Sequence, residues 1–405
     1  MITVRSLREA LSRRATGDAG ARMFPDLPAP LDAVLRWSSS GMPAHVPTLQ
    51  GLECSYEEAM VGIRSRLCGA MLRATSNGLA VPAEAHALMK VVHMADSALC
   101  LALQNAAFDV SAALSRAGVE HVFTKGIATS RFYPDPSVRA FCDVDVLVGE
   151  KMYAPAARVL EDLGFLPPAG VPRPRVLPFT RESINFLRPD GLSVDLHHAV
   201  PPWYWGKRIR FEDVRAAADR LDADGRAIPV VAEAHAFLIA LLQLISDQGG
   251  PAGEIQSWRD LLVLLARDPE GDILVPVLRD ADLSWLAVQL LGNLPSDLRP
   301  AWLGTLGTGV RPRATEAFRL RRLLPPSVAA RHQVSTIYRA SAPRAAVFLF
   351  AQAVPSRRFL RARYDGDATY RRWWKDALTK LRTVGDRVDD ELPLPRPVRR
   401  SDCSD

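Results

Sequence analysis

Ala140-Phe141-Cys142-Asp143-Val144-Asp145-Val146-Leu147-Val148 is the stretch on which the fold of this chain turns. Acidic or bulky side chains (Phe141, Asp143, Asp145, Leu147) alternate with small apolar ones (Cys142, Val144, Val146, Val148). A period of two is that of a β-strand, whose successive side chains point to opposite faces. The valines then enter a core, and Asp143 and Asp145 project together from the other face. Two adjacent carboxylates repel one another unless a cation lies between them, and hard divalent ions such as Mg²⁺ take oxygens from one or two carboxylates together with phosphates.

A second strand supplies a third acid. In Leu192-Ser193-Val194-Asp195-Leu196-His197 the apolar residues again alternate with Ser193, Asp195 and His197, and Pro189-Asp190-Gly191 marks a turn from an earlier run, Ser183 to Leu187. The two runs read as a hairpin that carries Asp195 toward the pair. Three carboxylates suit two metal ions roughly 3.5–4 Å apart, which clamp the attacking and leaving oxygens of a phosphoryl displacement. His197 shares the face of Asp195 and is read as a hydrogen-bonded structural histidine. Adjacent His197 and His198 point oppositely and His235 has no partner at zinc-like spacing, so zinc is not indicated.

Upstream, Val119 to Thr124 is a short β-branched and aromatic run, and Lys125-Gly126 opens a short helix ending near Phe132. The free N–H groups of a helix start favour phosphate, glycine lets a ligand approach the backbone, and Lys125 adds a full charge. Thr124, Ser130 and Arg139 are further candidates for holding a triphosphate. Trp203, Tyr204 and Trp205 offer faces on which a base would stack, although packing between domains is preferred for them. Asp260 reads as a structural anchor.

These motifs follow one another in an informative order. Thr124-Lys125-Gly126, Tyr133-Pro134-Asp135-Pro136, Arg139, Asp143-Val144-Asp145-Val146-Leu147-Val148 and Val194-Asp195-Leu196-His197 together resemble the uncharacterised nucleotidyltransferase family of the DNA-polymerase-β-like superfamily. The resemblance runs from about residue 80 to 270 and is strongest from 121 to 198. Ser257-Trp258-Arg259-Asp260-Leu261-Leu262 is similar to a helical segment of the same family. The superfamily at large has Gly-Gly or Gly-Ser where this chain has Lys125-Gly126.

The resemblance implies an α+β fold, in which a small mixed β-sheet core is flanked by an N-terminal helical segment and a C-terminal all-α domain. It implies that Asp143, Asp145 and Asp195 bind Mg²⁺, with Mn²⁺ as the substitute, and that Lys125 and Gly126 hold the phosphates of an NTP such as ATP. The expected reaction moves an NMP to an acceptor hydroxyl of a small molecule, peptide or protein and releases pyrophosphate. Two other readings of the residues stay open. Asp-x-Asp on a strand also serves metal-dependent glycosyltransferases, and the fold could persist as a non-catalytic module that binds nucleotide or nucleic acid.

The rest of the chain sets limits. With 405 residues and 48% hydrophobic content it has enough apolar surface for two or three compact units. Expected boundaries are a mixed, helical N-terminal segment (1–80), a core with its leading helix (81–210), a C-terminal helical domain (225–385) and a flexible tail (386–405). A long helix is predicted from Pro82 to Gly118, and another from Ala154 to Leu163. After Gly225 the pattern reads as helical again, in Ala232 to Ser246, Glu254 to Ala266 and further segments to about Leu381.

The runs Ala236–Ile245 and Ala345–Val354 are short of the roughly 20 apolar residues that span a bilayer, so no membrane segment is expected. Five scattered cysteines without Cys-x-x-Cys spacing, and an N-terminus unlike a signal peptide, lead us to expect a reducing, cytoplasmic setting. Fifty-one Lys plus Arg stand against 45 Asp plus Glu, giving +6. Arginines recur between Arg311 and Arg382, a basic region that reads chiefly as solvated helix faces, with nucleic acid as the minority partner.

Overall fold

The structure is a computed structural model that describes residues 24, 27–39, 49–167, 182–246, 251–310, 313–323 and 370–371. The expected tail, the run Ala345–Val354 and most of the arginine-rich region lie outside the described residues.

A six-stranded mixed sheet forms the centre, with strand order β3-β4-β2-β1-β6-β5. Its strands are β1 (His121–Thr124), β2 (Val144–Val148), β3 (Ser183–Leu187), β4 (Ser193–His197), β5 (Asp219–Ala223) and β6 (Arg226–Val230). β2 runs antiparallel to β1 and parallel to β4, while β3 and β4 form the expected hairpin. All five residues of β2 are buried, so both faces of this strand are covered. Val144, Val146, Leu147 and Val148 are at most 2% exposed, and burial of each such side chain stabilises the fold by roughly 1.5–3 kcal/mol.

Two features differ from the sequence reading. β2 begins at Val144, so Asp143 precedes the strand in a bend instead of standing within it. The region after Gly225 is not wholly helical, because β6 closes a hairpin with β5 and pairs in parallel with β1. Its turn, Asp224-Gly225, has φ of 50° and 72°. Positive φ at both central residues is the conformation for which Asp-Gly is selected in two-residue hairpins. The signal was present in the sequence, masked by the charges of Asp219, Arg220, Asp222 and Arg226 on flanking strands with little exposed apolar pattern.

Helices surround the sheet. In chain order they begin with α1 (Ala29–Ser39), α2 (Tyr56–Arg64), α3 (Cys68–Thr75), α4 (Ala83–Arg116), α5 (Lys125–Ser130) and α6 (Tyr153–Asp162). α7 (Trp203–Gly206) and α8 (Phe211–Ala216) follow β4. Then come α9 (Glu233–Ser246), α10 (Pro251–Arg267), α11 (Leu274–Asp280), α12 (Ser284–Leu291), α13 (Leu303–Gly307) and α14 (Ala314–Leu323).

α4 starts at Pro82, whose fixed φ suits a helix entrance, and stops at Gly118, which takes φ +68°. It packs on α2, α3, α6, β2 and β6. By length and composition α4 is long and apolar enough to cross a membrane, a property that a search for uninterrupted apolar runs passes over. Its most apolar window has a mean hydropathy of 1.3 and is 44% buried, and Val91, Met94 and Leu101 are exposed on the helix. α10 lies against α9 and α1, which brings the C-terminal helices onto the N-terminal segment.

Candidate active site

The register of the sheet builds the site. Across four strands one row reads Asn185, Asp195, Asp145 and Thr124, and the next reads Ser183, His197, Leu147 and Val122. Directly paired residues project to the same face, and so do residues two positions apart on one strand. Asp145, Asp195 and His197 therefore converge by register alone.

His197 Nε2 lies 2.9 Å from Asp145 Oδ1 and 3.0 Å from Asp195 Oδ2. Lys125 Nζ lies 2.8 Å from the same Asp145 oxygen, and the Ser183 hydroxyl donates to Asp195 Oδ2 at 3.1 Å. One ligand atom from each of Asp145, Asp195 and His197 falls within 4.8 Å of the others. That group can hold a metal ion.

The charges interact strongly because they are buried. Burial pushes the Asp145 carboxyl up, yet the Lys125 ammonium and the hydrogen bond and charge of His197 outweigh it and hold Asp145 below the ordinary carboxylate range. Asp195 is likewise held low against its burial, chiefly by His197 and then by Lys125 and Ser183. His197 moves up to about 9: burial opposes its charge, but Asp195 and Asp145 overcome that cost. Asp143 behaves oppositely. Burial and the neighbouring Asp145 charge push it up to about 6, with Lys125 only partly compensating.

The expected acidic trio is thus redistributed. Asp145 and Asp195 meet as the alternation requires, and His197, expected to be structural, completes the convergent group. Asp143 couples electrostatically to Asp145, Asp195, Lys125 and His197 but stands outside that group, because it precedes the strand whose alternation was to aim it. The alternation that places Asp195 and His197 on one face was the available signal for the histidine.

At the start of α5, Lys125 has φ +48°, a left-handed conformation that costs a non-glycine residue roughly 1–2 kcal/mol. This abrupt turn from β1 into α5 brings the ammonium onto Asp145. The absent side chain of Gly126 is explained by packing, since an added Cβ would meet Phe141 at 3.1 Å. Thr124 is buried beside Asp145, and the Ser130 hydroxyl donates to the Ile127 carbonyl at 3.1 Å.

Arg139 does not line this centre. Its guanidinium grips Asp260 of α10 with both Nε and Nη2, at 2.8 and 2.6 Å. An arginine followed by acids on a strand looks free in sequence, and its partner lies 121 residues away. Trp205 is fully buried, and Lys207 lies 5.4 Å from both the Trp203 and Tyr204 rings, so this aromatic group is packed.

A mixed sheet that presents two strand carboxylates, a histidine and a lysine at one buried point defines a protein of the nucleotidyltransferase-like class. Residues 64–292 match the family described as uncharacterised nucleotidyltransferase. This is more than half of the chain, which belongs to that family. Among solved structures the chain is similar to an antigenic nucleotidyltransferase-like protein from Paracoccidioides brasiliensis, at 16% identity and a TM-score of 0.31, over 49% of this chain and 92% of that one. No curated protein matches.

Proposed function

We propose that this protein transfers a nucleoside monophosphate from an NTP to an acceptor hydroxyl in a metal-dependent reaction. The observation that carries the proposal is the convergence of Asp145, Asp195 and His197 around a buried acceptor that no donor among the described residues fills. Asp195 Oδ1 is buried without a hydrogen-bond partner among the described residues, and an unsatisfied buried carboxylate oxygen costs about 1–3 kcal/mol or more. Such a deficit suits a cation or a substrate hydroxyl.

The donor set fits a divalent ion. Asp145 and Asp195 offer carboxylate oxygens, His197 offers an imidazole nitrogen, and Lys125 already places a positive charge against Asp145. Oxygen donors favour Mg²⁺ and Mn²⁺, and the nitrogen inclines the set toward Mn²⁺. A bound ion would neutralise triphosphate charge and polarise the reacting phosphoryl group.

The chain's own residues supply the remaining functions. Lys125, at the abrupt turn between Thr124 and Gly126, is placed to leave Asp145 and meet the phosphates, with Ser130 on the same short helix. Asp143 adds negative charge beside the centre and helps to retain a cation. Asp195 Oδ1 is the open acceptor for the proton of the attacking hydroxyl. The new bond joins the acceptor oxygen to the α-phosphorus while the bond from that phosphorus to the bridging oxygen breaks, and pyrophosphate departs with the electron pair. In such chemistry positioning and electrostatics provide most of the rate. A cytoplasmic setting, with NTP and divalent ions at hand, suits this reading.

The test is incubation with α-labelled NTPs and Mg²⁺ or Mn²⁺, with peptide, protein and small-molecule acceptors in separate arms and pyrophosphate as the readout. A parallel arm with labelled UDP-sugars reports on glycosyl transfer. Pyrophosphate release that needs metal and vanishes in Asp145→Ala is expected, and release that Asp145→Ala leaves intact would sink the proposal.

A further inference from the structure

Asp143 lies outside the strand, so the ladder hydrogen bonds that fix Asp145 do not fix it. What holds it is the irregular segment from Tyr133 to Cys142, and that segment is pinned at its far end by a buried charge cluster. Asp260 receives both arms of the Arg139 guanidinium, at 2.8 and 2.6 Å, and the Tyr133 hydroxyl at 2.6 Å. Gln256, one turn earlier on α10, donates to Asp260 at 3.0 Å and to the Tyr133 oxygen at 3.1 Å. The fully buried Arg259 donates to the Val138 carbonyl at 3.3 Å.

The same segment is tied down again nearer the site. The Phe141 amide donates to Cys100 Sγ at 3.2 Å, Arg66 reaches Cys142 Sγ at 3.2 Å, and the Ser193 hydroxyl donates to the Cys142 carbonyl at 3.3 Å. Phe141 in turn closes over Gly126. Contacts from α2–α3, α4, β4 and α10 thus converge on about ten residues of irregular chain, and the strongest are those to Asp260.

A buried ion pair is weak evidence for stability, since apolar side chains of similar volume often serve as well. Its two-point geometry instead fixes orientation and register. Here that geometry acts four residues before Asp143. We propose that Asp260 is a positioning residue for the metal centre, acting through Arg139 and Tyr133 on Asp143, so that α10 sets the affinity of the site for its ion. This rests on the metal-dependent reading above. It assigns Arg139 to shaping the site and not to binding phosphate.

Substituting residues that orient metal-binding groups typically costs about 10–100-fold in metal affinity. The experiment measures Mn²⁺ affinity by titration calorimetry and by loss of the free-ion paramagnetic signal, in the full chain, without nucleotide. Asp260→Asn is compared with Asp268→Asn. Asp268 is equally a buried acid, and it accepts the amides of Asp272, Ile273 and Leu274 beside α11. Each variant is assayed well below its melting temperature, with near-UV circular dichroism confirming its fold.

The expected result is a Kd for Mn²⁺ raised about ten-fold or more by Asp260→Asn and unchanged by Asp268→Asn, although both lower the melting temperature. Equal affinities of folded Asp260→Asn and wild type overturn the inference, and so does an equal loss in both variants. Should Asp260→Asn not fold, Tyr133→Phe removes one donor to Asp260 and should weaken Mn²⁺ binding several-fold, and an unchanged Kd would again overturn it. Absence of any Mn²⁺ binding that depends on Asp145 in the wild type defeats the metal-dependent reading itself, which is a different outcome from a wild type that binds and a variant that binds equally well.

Discussion

Two buried charge clusters lie within this fold, and they are built differently. Around Asp260, Arg139, Tyr133 and Gln256 supply a donor for each carboxylate oxygen, and the burial that opposes the Arg139 charge is more than offset by Asp260. Around Asp145, charges of both signs are crowded together while Asp195 Oδ1 and His197 Nδ1 have no partner among the described residues. Asp143 is held in a carboxylate environment bad enough to lift it to about 6. The fully buried Arg259 Nε beside Asp260 also has no partner among the described residues, so the contrast lies in the carboxylates: one met by donors on both oxygens supports structure, whereas one left open at such cost is a place where something binds. Substitution in one cluster, with the other left intact, distinguishes the two roles.

The largest effect is expected from Asp145→Ala. Loss of the acid shared by His197 and Lys125 should lower NMP transfer by a factor on the order of 10³, about 4 kcal/mol in transition-state energy, with the fold retained. Steady-state kinetics with thermal melts of the same preparation provide the check. Activity within ten-fold of wild type would make the open cluster merely structural.

Asp260→Ala strikes the closed cluster. It leaves the Arg139 guanidinium charged and buried without its partner, which should cost about 3–5 kcal/mol in stability. Replacing both partners with apolar residues, Arg139→Met with Asp260→Leu, should recover most of the loss. Urea denaturation measures both, and a single variant as stable as the double one would contradict a closed pair.

The third prediction concerns pH in the metal-free protein. His197 is raised to about 9 from an ordinary value near 6.5. A group raised on folding contributes its stabilisation fully below the unfolded value and loses it as pH climbs through the folded one. Between about pH 6.5 and 9, wild type should therefore lose roughly 3 kcal/mol more than His197→Asn. Asp145 and Asp195 are lowered, so their contribution is present above pH 4 and declines only as acid titrates them below it. Asp143 is raised, so its charge is a burden at pH 7, and Asp143→Asn should stabilise the protein there while impairing the site. Denaturation curves from pH 2 to 9.5 test all three signs.

How much of this was legible beforehand depends on the range of the forces involved. Asp145, Asp195 and the β3–β4 hairpin follow from alternation and a Pro-Asp-Gly turn, which are local. Asp143 was misplaced by one strand position, because alternation says nothing about where a ladder begins. His197 was read as structural because sequence shows that it shares a face with Asp195 but not that β2 lies alongside in register. The pairing of Arg139 with Asp260 joins segments 121 residues apart, and nothing in either segment names the other. β6, wedged beside β1, was missed although Asp224-Gly225 announces its turn, since charged flanks imitate an exposed loop. Local periodicity therefore exposed the open cluster and concealed the closed one.

The smallest predicted effect separates the two clusters most directly. A ligand that binds only the folded state stabilises it by RT ln(1 + [L]/Kd), about 2.7 kcal/mol at one hundred times Kd. Mg²⁺ or Mn²⁺ should stabilise wild type by that increment, read as a rise in melting temperature, and leave Asp195→Asn, which keeps the shape but loses a charged donor, nearly unmoved. Mn²⁺ should do so at lower concentration than Mg²⁺ if His197 is a ligand, and His197→Gln should narrow that difference. In Asp260→Asn, folded but with its anchor cut, the full increment should still be attainable but only at higher ion concentration. An increment that survives Asp195→Asn would put the ion elsewhere on the protein and return the open cluster to the standing of an unexplained cost.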